Sequence, residues 1–148
     1  MKQVLVPNEQ MLGEVSALLS EGRSVVFLAK GASMRPFIEG DADSVLLERR
    51  TPVQVGDIAL AHLSGGNWVL HRVVSVCGND VTLRGDGNLR GEEHCTAADI
   101  AGTVREIQKK SGRKIRCYSR CFRFRSRLWR LLPRLLRRVF LGIQRRLI

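Results

Sequence analysis

The alternation of apolar and polar positions changes period twice along the chain. In "PNEQMLGEVSALLSEG", residues 7–22, Met11, Leu12, Val15, Leu18 and Leu19 recur every three or four residues. Asn8 suits the start of a helix and Gly22 its end, so the spacing predicts a short amphipathic helix over 8–21. From residue 24 the apolar residues gather instead into short β-branched runs at 24–30, 44–50, 57–63, 68–76, 80–85 and 100–108. Gly, Asp and Asn separate these runs, and "SGGN" (64–67) and "CGND" (77–80) are hairpin signals. Six short strands with no helical period between them predict a mainly β protein: a small, curled, antiparallel and barrel-like domain.

The second change comes near Lys109. "KKSGRKIRCYSR" reads as a basic connector, and helical spacing returns in "RLWRLLPRLLRRVFLGIQRRLI", residues 127–148. At 100° per residue Leu128, Leu132, Leu135, Val139 and Ile143 fall on one side, flanked by Leu131 and Leu136. Arg127, Arg130, Arg134, Arg137, Arg138 and Arg145 fall on the other, and Pro133 is expected to kink or divide the helix. The chain thus divides into a β domain at 1–108 and a basic tail at 109–148.

Charge sharpens this division. Residues 109–148 hold fifteen Lys or Arg and no acid, whereas 1–108 hold ten basic and fourteen acidic side chains, a net −4. The arginines argue against a membrane span in the tail. Near the N-terminus the longest apolar run, "VVFLA" (25–29), is too short for a signal peptide or a span. Docking of 127–148 on an anionic membrane surface explains both the apolar stripe and the cationic face. It would place the protein in the cytoplasm, peripheral at the inner face of the membrane. Nucleic acid is not the expected partner, because phosphate contacts alone do not call for Trp129, Leu132, Leu135, Val139, Phe140 and Ile143. Packing of the stripe on the protein's own acidic body is the alternative.

Cys77, Cys95, Cys117 and Cys121 form no C-x-x-C pair and read as free thiols of a reducing compartment. Cys117 and Cys121, with His94 and Cys95, would be a poor zinc set, since structural zinc pairs are usually closer and come in clear groups. No metal or cofactor is expected.

The chemistry points to "KGASMRPFIEGD", residues 30–41. Gly31 and Ala32 allow another backbone to come close to Ser33, and Pro36 biases Arg35 away from helix, so Ser33 is expected on a tight connection. A serine nucleophile needs a base. His62, His71, His94 and a nearby lysine such as Lys30 are the candidates. In "WVLHRVV", Val69, His71 and Val73 share one strand face and Leu70, Arg72 and Val74 the other. His71 can therefore be a base or a histidine tucked into the sheet. Asp86, in "LRGDGN" (83–88), can orient an imidazole or cap a turn, while Asp41 and Asp57 read as turn residues.

Taken in order, "GASMRPFIEGD", "VGDIALAH", "VLHRVVSV" and "LRGDGN" resemble the successive boxes of the type I signal peptidase family, whose fold the LexA-like self-cleaving repressor domains share. The resemblance covers roughly residues 24–105. It implies Ser33 as nucleophile and His71, in place of the lysine of most bacterial members, as base, similar to the endoplasmic-reticulum and archaeal branch. Asp86 matches that family's acid, and Glu92 falls where the branch has a further one. Gly31 leaves no side-chain hydroxyl two residues before Ser33, so the backbone amides of Ala32 and Ser33 would form the oxyanion hole. The family's N-terminal anchor and a helix-turn-helix segment have no counterpart here, so a DNA-binding repressor is not expected.

These readings combine into a serine endopeptidase with a Ser33–His71 dyad assisted by Asp86. By the resemblance, it would bind an extended leader- or signal-like peptide beside a sheet edge and cleave it after a small residue. The alternative is a non-catalytic peptide-binding module that its basic tail docks to membrane or nucleic acid.

Overall fold

All six expected strands form, and three more join them. The structure is a computed structural model that describes residues 2–4, 9–88 and 91–147, with the side chains of 2–4, 145 and 147 outside that description. In chain order the elements are β1 (Lys2–Val4), α1 (Glu9–Ser20), β2 (Val25–Leu28), β3 (Ser44–Glu48), β4 (Ile58–His62), β5 (Trp68–Cys77), β6 (Asp80–Arg84), β7 (Glu93–Thr96), β8 (Ile100–Gln108), β9 (Lys114–Arg116), α2 (Arg120–Leu131) and α3 (Arg134–Leu147). The expected cap at Asn8 and the side chain of Arg145 lie outside the described residues.

The strands form one curled, half-barrel sheet in the order β1-β2-β3-β8-β4-β5-β6-β7, with β9 paired to β8. Apart from the parallel β1–β2 pair, every pairing is antiparallel. Both expected hairpins are present, joining β4 to β5 and β5 to β6. The main core lies inside the curl. Val15 and Leu19 of α1 pack there with Val25, Phe27, Val45, Leu47, Ile58, Leu60, Val104 and Ile107. A smaller cluster of Ala59, Ala61, Val73, Val81 and Leu83 occupies the other face.

The basic tail does not stand apart from this body. Residues 114–116 are a strand on β8, and Phe122 and Trp129 of α2 are buried, Phe122 within the main core. Both rings meet Phe37 edge-on, with centroids 5.4 and 6.5 Å away. Ser119 caps α2 by accepting a hydrogen bond from the Phe122 amide. Leu132 and Pro133 separate α2 from α3. The inward face of α2 is Phe122, Ser126 and Trp129, with one-turn spacing, and it is not the leucine stripe. Leu128, Leu131, Leu135, Leu136, Val139 and Ile143 are each more than half exposed. The stripe expected from the sequence therefore exists, but a different face of the helix holds it to the body. Cys117, buried under α2, has its thiol pushed up to about 12, mainly by burial.

Trp129 carries much of this attachment. Trp129→Ala should destabilise the protein by about 3–5 kcal/mol, measured by urea unfolding, as loss of a packed aromatic does. Leu135→Ala, on the exposed stripe, should change stability by less than about 0.5 kcal/mol.

Candidate active site

Ser33 lies in the turn-rich connection between β2 and β3. The turn is tied by Arg35 N–H donating to the Ala32 carbonyl (3.2 Å) and by Phe37 and Ile38 N–H both donating to that of Met34 (3.1 and 3.0 Å). Its base is closed by the Asp41 amide on the Ala29 carbonyl (2.7 Å). There Gly40 lies so close to Gly31 that a side-chain carbon would fall 1.8 Å from the Gly31 carbonyl oxygen. Met34 and Ile38 anchor the turn in the core and leave Ser33 half-buried. Among the described residues no acceptor takes the amide hydrogens of Ala32, Ser33 or Met34.

His71 sits in the middle of β5, 7 % exposed. Its neighbour across the ladder is Ala59, and the β5–β6–β7 register aligns Val73 with Leu83 and Leu83 with Glu93. Cross-strand partners point to one side of a sheet, as do residues two apart in a strand. His71 and Glu93 therefore share a face. The Glu93 carboxylate meets His71 Nδ1 as an ion-pair contact, off the ring N–H axis and so without hydrogen-bond alignment. A carboxylate at Nδ1 favours the proton there and leaves the lone pair on Nε2.

Nε2 faces the serine turn. The "GDG" turn after β6 packs directly on that turn, with Gly87 N–H donating to the Ser33 carbonyl (2.8 Å). At Gly85 a side-chain carbon would fall 2.4 Å from the Ser33 carbonyl oxygen and 3.2 Å from His71 Nε2, so only glycine fits. Nε2 and the Ser33 main chain thus surround the same point. No hydrogen bond joins Ser33 Oγ to the ring; without substrate such pairs are often loose. Ser33 and His71 open into one cavity of about 450 Å³, walled mainly by apolar side chains such as Phe27, Met34, Leu60 and Trp68, with exposed Lys30 also in its lining.

Asp86 does not orient His71. Its carboxylate is bound by the guanidinium of Arg72, Nη2 to Oδ2 at 2.6 Å and Nε to Oδ1 at 3.2 Å, with both side chains almost fully buried. Strand alternation explains this: Arg72 faces away from His71 and toward the main core, and Asp86 follows it. Glu92 pairs with Arg84 instead. The carboxylate at the imidazole is Glu93, which the sequence reading passed over. The other two histidines are exposed, His62 stacked on Trp68 and His94 beside the Thr82 hydroxyl. Among the described residues no group of three His, Cys, Asp or Glu side chains is gathered as a metal site.

No protein-family model and no curated protein matches this chain.

The two acids should separate experimentally. Asp86→Asn, which strips Arg72 of its counter-charge in the core, should cost on the order of 3 kcal/mol in urea unfolding. Glu93→Gln should cost less than about 1 kcal/mol, since no aligned hydrogen bond to His71 is lost. Equal losses would contradict the division between a structural and a positioning carboxylate.

Proposed function

We infer that the protein is a serine endopeptidase, with Ser33 as nucleophile, His71 as general base and Glu93 as the carboxylate that positions the imidazole. The observation carrying this reading is the orientation of His71, with Nδ1 on Glu93 and Nε2 toward the Ser33 turn, at the wall of a largely apolar cavity. The resemblance of its sequence boxes to type I signal peptidases supports it independently. In the reaction, Ser33 Oγ attacks the scissile carbonyl while its proton passes to His71 Nε2. The free amides of Ala32, Ser33 and Met34 are suited to the developing oxyanion. Nε2 then protonates the departing amine, leaving an acyl group on Ser33. Water gives a proton to Nε2 as it attacks that ester, releasing the acid and restoring the serine. The cavity suits an extended peptide with an apolar side chain beside the scissile bond.

The test is a peptide library incubated with the protein, with cleavage read by mass spectrometry. Ser33→Ala and His71→Ala should each lower kcat/KM by several orders of magnitude, and the double variant should be scarcely worse than either. Glu93→Gln should lower it less. Additive losses, or turnover by Ser33→Ala, would refute the dyad. Peptide capture by the wild type without any turnover would favour the non-catalytic binding module.

The second part of the proposal is that α2 and α3 dock on an anionic membrane surface. No helix among the described residues is long and apolar enough to cross a membrane. The exposed stripe, running with Phe124 and Phe140 along two arginine-rich helices, instead suits the headgroup boundary. Each arginine near an anionic leaflet adds about 1 kcal/mol. The protein should float with vesicles containing phosphatidylglycerol, less so as salt rises, and Leu135→Glu with Val139→Glu should abolish flotation without unfolding it. Unchanged flotation of that variant would assign the stripe another partner.

A further inference from the structure

A second cavity of about 300 Å³ lies between the Gly85–Asp86 segment and the tail helices. Arg84 of β6, Arg127 and Arg130 of α2 and Arg137 of α3 line it together with Asp86 and Trp129. Four arginines from three elements thus line one space, Arg127 at its exposed edge. Asp86, the one acid in the lining, already has both carboxylate oxygens on Arg72. Glu92 answers Arg84 through Nη2. No carboxylate pairs with Arg127, Arg130 or Arg137 among the described residues.

These charges are not simply solvated. Arg137 is 7 % exposed, and its Nε is sealed from solvent with no acceptor among the described residues. Arg130 Nη1 and Arg84 Nε are in the same condition. Burial, then Arg84 and Arg134, hold Arg137 below the ordinary arginine range. Burial and Arg72 do the same to Arg130. Asp86 offsets part of this in both, but a buried guanidinium with no carboxylate bonded to it is unfavourable, and like charges gathered around one cavity add to that. An anion with several acceptor oxygens would relieve all of this at once, since guanidinium forks match phosphate geometry.

The geometry points to a phosphate-binding site formed by Arg84, Arg127, Arg130 and Arg137, which takes a phosphomonoester or phosphodiester group. Neither the peptidase chemistry nor docking of the leucine stripe requires it. Two sources would present the same group, a phospholipid headgroup or a soluble phosphate compound.

The test titrates inorganic phosphate into the full chain by calorimetry, at an ionic strength held constant with chloride. Wild type should bind phosphate, and Arg137→Met and Arg130→Met should each bind at least about tenfold more weakly, as loss of a charged hydrogen-bond donor implies. In phosphate-free buffer Arg137→Met should melt no lower than wild type, because it removes an uncompensated charge. A purely structural arginine would lower the melting temperature. Circular dichroism of both variants checks that they fold. Vesicles of phosphatidylcholine with phosphatidylglycerol distinguish the sources. If the headgroup is the ligand, Arg137→Met reduces vesicle capture and inorganic phosphate competes with it. If a soluble phosphate is the ligand, capture is unchanged while phosphate binding is lost. Wild type responding to phosphate no more than to chloride, or both variants binding phosphate like wild type, would overturn the site.

Discussion

The buried pair of Arg72 and Asp86 ties five parts of the chain to one point. Arg72 leaves the middle of β5, grips both oxygens of Asp86 and gives Nη1 to the Gly56 carbonyl at 2.9 Å. Its guanidinium lies over the rings of Phe37 and Phe122, 5.2 and 5.4 Å from their centroids. The main chain of Asp86 completes the knot. Its amide meets Met34 Sδ at 3.5 Å, and its carbonyl accepts Trp129 Nε1–H at 2.9 Å. Two charges taken out of water are tolerated only when their geometry is good and their remaining donors are satisfied. Here the Arg72 donors are met from the "GDG" turn and the β3–β4 connection, while the serine turn and α2 supply the rings over the guanidinium.

The candidate chemistry follows from this knot through strand alternation. If Arg72 points inward, His71 must point to the opposite face, where the register supplies Glu93. Because Asp86 is fixed by Arg72 and Trp129, the glycines on either side of it are pressed onto the Ser33 turn. The serine and the imidazole are thus brought to one cavity largely by contacts of their neighbours, with the Gly87 amide on the Ser33 carbonyl as the direct tie. A tail helix is part of the same arrangement, and this is why α2 belongs to the body even though its composition sets it apart.

The sequence carried the curled antiparallel sheet, because β5, β6 and β8 have β-branched runs bounded by turn residues, and alternation placed His71 and Arg72 on opposite faces. It did not carry β1, β7 or β9. "EHCT" in β7 has one β-branched residue, and "KIR" in β9 is hidden in a run of cations, so neither announces a strand. Missing β7 also concealed Glu93. With no strand there, the resemblance pointed to Glu92, although one residue of register reverses the face and brings Glu93 to the imidazole. The role expected of Asp86 failed for a related reason, since sequence spacing does not reveal that its neighbour in space is the arginine beside the histidine. In the tail the leucine stripe was legible as a pattern, but the attachment through Phe122 and Trp129 depends on meeting Phe37, nearly ninety positions earlier in the chain.

Whether Ser33 is a nucleophile activated by His71 is decided by trapping the acyl intermediate. An activated peptide ester with an apolar side chain, mixed with excess protein and quenched in acid, should leave one acyl group per chain. Peptide mass mapping should place it on Ser33, and His71→Ala should form it at least a hundredfold more slowly. An adduct on another residue, or acylation of Ser33 at the same rate without His71, would contradict the account.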